Sequence, residues 1–178
     1  MRITAKIDYA VRSCAELAQR YGAVSSGGRN GDEPEASRWV KADEISEAQN
    51  VSVAFVLGIL NQLKQAGLVE SKRGADGGYR LAYPPADIAV ADVIRAIDGP
   101  LANVSGRYVE DVEYGGAARS VRDVWVALRA SMRSVLDEVS LADIVSGRLD
   151  AGVRALIADD AAWKTRPNGR STVPRAGG

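Results

Sequence analysis

The sequence predicts a mainly α fold with a small β-wing: a winged helix-turn-helix followed by a long C-terminal helix suited to dimerisation. Three observations predict it. Residues 42–48 and 52–66 read as two helices joined by the tight turn Gln49-Asn50-Val51. Residues 68–73 and 79–83 read as two strands around the tip Gly74-Ala75-Asp76-Gly77-Gly78. Residues 119–139 carry an apolar stripe along one amphipathic helix.

In chain order, a first helix is expected over residues 4–21, with Ile7, Ala10, Val11, Cys14, Leu17, Ala18 and Tyr21 on one stripe. Lys6 and Tyr9 fall off that stripe. Residues 23–38 are rich in Gly, Ser and charge without periodicity, which predicts a flexible insertion. In the short helix that follows, Ile45, Ala48 and Val51 face the longer one across the turn. Asn50 sits where the turn needs positive φ, which Asn tolerates. Ser52 is placed to cap the second helix, and Val56, Ile59, Leu60 and Leu63 have the spacing of a buried face. The opposite face, with Ala54, Leu57, Gly58, Asn61, Gln62 and Gln65, is small or uncharged, so it can lie flat against a partner. Gly67 suits the position just past the helix end.

Arg73 and Arg80 flank the glycine-rich tip, and a slim loop with a cation on each side can enter a minor groove or straddle a phosphate. Pro84-Pro85 closes the unit. Ile88, Val90, Val93, Ile94 and Ile97 then mark a helix ending at Gly99-Pro100, and residues 101–118 read as a loop. The helix of residues 119–139 spans about 30 Å. Its stripe of Val121, Val124, Trp125, Leu128, Met132 and Val135 exceeds what a small domain can cover, so a second copy of the same helix is the expected partner. Two further short helices are expected, from Ser140 and through Val153, Leu156 and Ile157. The organisation is therefore 1–85 winged domain, 86–163 effector and dimerisation region, and 164–178 a disordered basic tail.

The chain of 178 residues is 46% hydrophobic, enough for a core. No apolar run reaches membrane-spanning length and no signal peptide opens the chain, which points to the cytoplasm. Cys14 is the single cysteine and there is no histidine, which excludes an intrachain disulfide and a cysteine-cluster metal site. There is no paired nucleophile and base and no phosphate-cradling loop before a helix, so an enzyme is not expected. Net charge is zero, and residues 40–83 balance five cations against five acids. The position of the cations, rather than their number, is what points to nucleic acid.

Lys6-Ile7-Asp8-Tyr9-Ala10-Val11-Arg12, Glu44-Ile45-Ser46, Phe55-Val56, Ala66-Gly67-Leu68-Val69, the wing from Arg73 to Ala82, and Asp92-Val93-Ile94-Arg95-Ala96-Ile97-Asp98-Gly99-Pro100-Leu101 together carry a resemblance. Over residues 1–145 the chain resembles the IscR/NsrR/CymR-type family of bacterial transcription regulators. The resemblance implies a homodimeric winged-helix repressor or activator on double-stranded DNA, with recognition helices in successive major grooves of an inverted repeat. It implies DNA contacts at Thr4, Lys6 and Tyr9 for phosphates, Ser52, Ala54 and Phe55 at the recognition helix, and Arg73, Gly77, Gly78 and Arg80 in the wing. Asn61 joins them from the exposed helix face. The chain departs from many relatives at Leu57 and Gly58, where polar residues are usual, and at Lys41, where a small capping hydroxyl is usual.

Many relatives hold an iron-sulfur cluster through three cysteines in the loop after Gly-Pro-Leu. Residues 102–118 here contain none, and Asp8, placed where some relatives offer a carboxylate ligand, cannot hold a cluster alone. No cofactor is therefore expected. The expected signal is an unidentified small molecule or protein, entering near Tyr108, Tyr114 and Trp125. Glu110, Asp111 and Glu113 read as solvated loop carboxylates without metal-loop spacing. The alternative to DNA-binding regulation is a winged-helix protein-interaction module that does not touch DNA.

Overall fold

The computed structural model describes residues 2–21 and 38–165. The expected insertion (23–38) and basic tail (164–178) lie outside the described residues, except for positions 38, 164 and 165. Helix α1 (Ala5–Gln19) starts where the Thr4 hydroxyl accepts the Ile7 N–H at 3.2 Å, and it buries Ile7, Ala10, Cys14, Leu17 and Ala18. Helix α2 (Ala42–Gln49) begins after Lys41, which has no side-chain acceptor. There the Glu44 carboxylate accepts the Lys41 N–H at 3.3 Å, so one orphan donor is satisfied from inside the helix. Asn50 ends it at φ 51° and ψ 51°, the left-handed conformation that reverses the chain into α3 (Val53–Gln65). The Ser46 hydroxyl, buried in the turn, donates to the Val51 carbonyl at 2.5 Å.

Ser52 caps α3 by accepting the Phe55 N–H at 3.3 Å. The helix closes with paired bonds from Gly67 N–H to the Lys64 carbonyl (3.0 Å) and Leu68 N–H to the Leu63 carbonyl (2.9 Å). Gly67, at φ 77°, adopts the left-handed backbone of this closure without the strain an L side chain would bring there. Strand β1 (Val69–Lys72) then pairs antiparallel with β2 (Gly78–Leu81), Val69 opposite Leu81 and Lys72 opposite Gly78. Val40 adds a short third rung, its N–H and carbonyl both bonded to Tyr79 at 2.9 and 2.8 Å.

Helix α4 (Val90–Asp98) buries Val90, Ala91, Val93 and Ile94. The segment expected as a loop, residues 101–118, contains a small hairpin of β3 (Asn103–Val104) and β4 (Arg107–Tyr108), followed by short 3-10 turns at Val109–Asp111 and Gly116–Ala118. Ser105 and Gly106 make its two-residue turn, both with positive φ (53° and 81°), and the Asn103 side chain accepts the Gly106 N–H at 3.2 Å. Helix α5 (Val121–Leu136) is shorter than the expected 119–139. Its last expected residues turn back to the core instead: Val139 accepts the Val90 N–H, and Leu141 N–H donates to Ile88, each at 2.9 Å.

Helix α6 (Leu141–Ser146) opens with Ser140 and Asp143 capping each other and packs on α1, and α7 (Ala151–Ile157) follows. The main core joins Leu17, Val40, Ile45, Ile59, Leu60, Leu63 and Leu81 to Ile88, Val93 and Leu141, so elements on both sides of Pro84-Pro85 share it. No residue of α5 is buried, and Val124 and Leu128 are 59% and 41% exposed.

Candidate nucleic-acid interface

Burial of Val56, Ile59, Leu60 and Leu63 fixes how α3 is rotated, and this turns Ala54, Leu57, Gly58 and Asn61 outward. All four are exposed, and a Cβ added to Gly58 would meet nothing within 4 Å. The face is contiguous, small and uncharged, with Lys64 and Gln65 exposed one turn further along. It suits close apposition to base edges and thymine methyl groups better than ionic steering. The Gln62 side-chain oxygen is buried beside it with no hydrogen-bond partner among the described residues.

The start of α1 meets the start of α3 through aromatic contact. Tyr9 and Phe55 pack edge to face, ring centres 5.6 Å apart at 88°. The Arg12 guanidinium lies 4.5 Å from the centre of the Tyr9 ring and donates to Gln49 at 2.5 Å, with Asp8 at 3.4 Å. Arg12 and Gln49 were not singled out from the sequence, because the contact joins residues 37 apart; the helical spacing of Tyr9 and Arg12 was the available signal. Phe55 is half-buried against this cluster, so it positions the helix more than it offers free surface. Thr4 is engaged as a helix cap, while Lys6 is half-buried. Ser52 is exposed as well as capping.

In the wing, Lys72 and Arg73 are exposed and make no ion pair among the described residues. Arg80, expected as their counterpart, is held in place: its guanidinium pairs with Glu70 at 2.8 Å and stacks 4.5 Å above the ring of Trp39. Trp39 precedes the Val40 rung, a neighbour that only the fold supplies. Gly77 and Gly78 are tied to packing. Gly77 is buried, and a Cβ there would lie 2.3 Å from the Lys72 carbonyl oxygen; at Gly78 it would lie 2.5 Å from that of Val40. Their missing side chains let the wing fold back on itself, a role distinct from the groove contact expected of them.

A hollow of about 530 Å³ opens between α5 and the hairpin, lined by Leu101, Tyr114, Val121, Trp125, Leu128 and Met132 and also by Arg2 and Asp98. Tyr114 and Trp125 thus come together as expected. Tyr108 does not join them; it lines a separate hollow with Arg95, Arg129 and Arg133, because β4 turns it to the other side of the hairpin. Val124 and Val135 of the expected dimer stripe lie outside the first hollow.

A capped helix-turn-helix, an exposed uncharged recognition face and a cation-tipped hairpin define a winged helix-turn-helix transcription regulator. Residues 32–147 match the Rrf2 family, described as an iron-dependent transcriptional regulator, and the chain belongs to that family. It is 42% identical over 171 residues to Rv1287 of Mycobacterium tuberculosis, named as an HTH-type transcriptional regulator, spanning 96% of this chain and 98% of that protein. It is 32% identical to the HTH-type transcriptional regulator CymR of Bacillus subtilis over 82% of this chain and 91% of CymR. The solved structure of B. subtilis CymR, the global cysteine regulator of that organism, superposes with a TM-score of 0.62 at 29% identity, over 82% of this chain and 97% of that one. That of T. potens IscR gives 0.59 at 28%, over 87% and 96%.

The family description implies iron, and the donors of this chain do not fit it. An iron-sulfur centre needs four protein ligands, normally thiolates. Cys14 is fully buried on the core face of α1, and desolvation pushes its thiol up to about 12, away from the thiolate a metal needs. The chain has no second cysteine and no histidine, and Asp8 is turned toward Arg12.

Proposed function

We propose that this chain is a sequence-specific DNA-binding regulator that acts as a homodimer on an inverted-repeat operator and answers to a signal other than iron. The observation that carries the proposal is the exposed face of Ala54, Leu57, Gly58 and Asn61 on α3 together with the exposed wing cations Lys72 and Arg73. The recognition face enters the major groove, Lys6 and Arg73 hold phosphates, and the glycine-rich tip follows the minor groove. The apolar side of α5, with Val121, Val124, Trp125, Leu128, Met132 and Val135, meets its copy across a two-fold axis. The exposure of Val124 and Leu128 supports this: Met132 and Val135 pack against the chain's own core, but the rest of the stripe is left open to a partner.

A small molecule or peptide entering the hollow at Tyr114 and Trp125 would act where α5 joins the hairpin. The role is non-enzymatic and the place of action is the cytoplasm, in keeping with relatives named as transcription regulators; among the described residues no helix is long and apolar enough to cross a membrane. The test is fluorescence anisotropy with DNA spanning the promoter of the chain's own gene, over a range of salt. Tight, salt-dependent and sequence-selective binding is expected. Absence of binding to that DNA, together with capture of a protein through α3, would turn the reading to an interaction module.

A further inference from the structure

We propose that the hollow between α4, α5 and the turn at Val109–Asp111 is a binding site for a phosphate-bearing small molecule, with Glu110 on its wall as a built-in counter-ion to Arg129 until the ligand displaces it. The hollow has a volume of about 350 Å³ and is lined by three guanidiniums: Arg95 from α4, and Arg129 and Arg133 from α5. Arg129 and Arg133 are four residues apart, so they stand one above the other on the same helix face. Arg95 is fixed from behind by Asp92 at 3.0 Å and Asp137 at 2.6 Å, neither of which lines the hollow. Arg129, only 17% exposed, is paired with the Glu110 carboxylate. Arg133 has no ion pair among the described residues.

The charges decide what the site takes. With Glu110 in place, one carboxylate faces two cations of α5, and Arg133 has no carboxylate of its own among the described residues. Glu110 itself is more than half exposed and sits on a surface turn, so it can swing into water once an incoming anion takes over Arg129. Its carboxyl is held below the usual range by a backbone hydrogen bond and by Arg129, with Arg133 adding attraction at longer reach. Once it leaves, two guanidiniums on one helix face are matched by an anion with two negative charges and acceptor oxygens on several sides. A tetrahedral phosphate has that form, whereas a single carboxylate reaches one fork at a time. The hollow is larger than one phosphate, and the Tyr108 ring and Pro100 supply a flat apolar wall for the rest of a phosphorylated molecule.

The experiment is calorimetric titration and thermal melting of the full chain with sodium phosphate, pyrophosphate and ribose 5-phosphate, against sodium chloride at matched ionic strength. A phosphate ester is expected to bind and to raise the melting temperature beyond the chloride control. Removing the competitor with Glu110→Gln should tighten binding several-fold, and Arg133→Gln, an exposed change that leaves the fold intact, should weaken it by about tenfold, the loss of one charge-assisted pair. Stronger binding of the ester than of inorganic phosphate would identify a phosphorylated metabolite as the ligand, and the reverse order the free ion. The proposal fails if neither the unaltered chain nor Glu110→Gln responds beyond chloride, or if Glu110→Gln weakens binding. It also fails if Arg133→Gln leaves phosphate affinity unchanged while lowering the salt dependence of operator binding, since the arginine would then serve the DNA backbone.

Discussion

The ring of Tyr9 meets Phe55 edge to face at 5.6 Å, and this contact ties the second turn of α1 to the first turn of the recognition helix. Such pairs contribute about 0.5–1.5 kcal/mol beyond the area they bury. A double-mutant cycle with Tyr9→Leu and Phe55→Leu, read by urea denaturation, should give a coupling energy in that range. Each single change should also weaken operator binding, because the angle at which α3 is presented depends on the pair. Independent, additive effects would show that the two helices are set by the core alone.

Arg73 and Arg80 should behave differently although both are wing arginines. Arg73→Ala should leave stability unchanged and reduce the salt dependence of operator binding by about 0.9 in log–log slope, the effect of one lost phosphate contact. Arg80→Ala removes the Glu70 pair and the Trp39 stack, so its first effect should be on the order of the wing, seen as faster amide exchange at Tyr79. Equal effects of the two changes on the salt slope would place Arg80 on the phosphates as well.

Gly58 and Gly77 offer a second contrast. Gly58→Ala adds a methyl in open space within a helix and should stabilise the chain by about 0.5–1 kcal/mol while weakening DNA binding, since the methyl stands on the recognition face. Gly77→Ala places a Cβ against a backbone carbonyl and should destabilise by about 1–3 kcal/mol. Denaturation midpoints and anisotropy on the same samples separate the two.

Leu128→Glu together with Val124→Glu should yield a monomer or an aggregate in analytical ultracentrifugation, with affinity lost for a full operator. These side chains are exposed in the single chain, so folding itself should survive. A monomer that still binds the full operator tightly would remove α5 from the proposed interface.

Cys14 should be inert in the native state. Its thiol is raised from 9.0 to about 12, so the folded chain keeps a proton that the unfolded chain releases first. Stability from this group is therefore present below pH 9 and declines as pH rises from about 9 toward 12. Thiol labelling at pH 8 should be slow in buffer and fast in denaturant, and rapid native labelling would contradict the burial.

What was legible in the sequence was local. The cap Ser52, the left-handed Asn50, the closure at Gly67 and the buried stripes all depend on residues within a turn or two. The hairpin at Asn103–Tyr108 escaped because its strands are two residues long and its turn is Ser-Gly, without alternation on either side. Trp39 under Arg80, Gln49 against Arg12 and the turning away of Tyr108 from Trp125 escaped for another reason: each depends on segments far apart in the chain. A glycine also reads the same whether it serves a turn, a groove or a close backbone approach, and only the fold distinguished Gly77 and Gly78.

Leu141, wholly buried in the core that holds α1 and α3, lies beyond α5 in the chain. During synthesis the helix-turn-helix and wing therefore leave the ribosome with their core unfinished. At about 5–20 residues per second, the interval between Pro85 and Leu141 lasts about 3–11 s, during which α1 lacks the helix that packs on it. A polypeptide terminated within α5 should be a target for chaperones and proteases rather than a surviving fragment that occupies operators. Premature stop codons in this gene should accordingly act as simple losses, with no dominant interference from the truncated product.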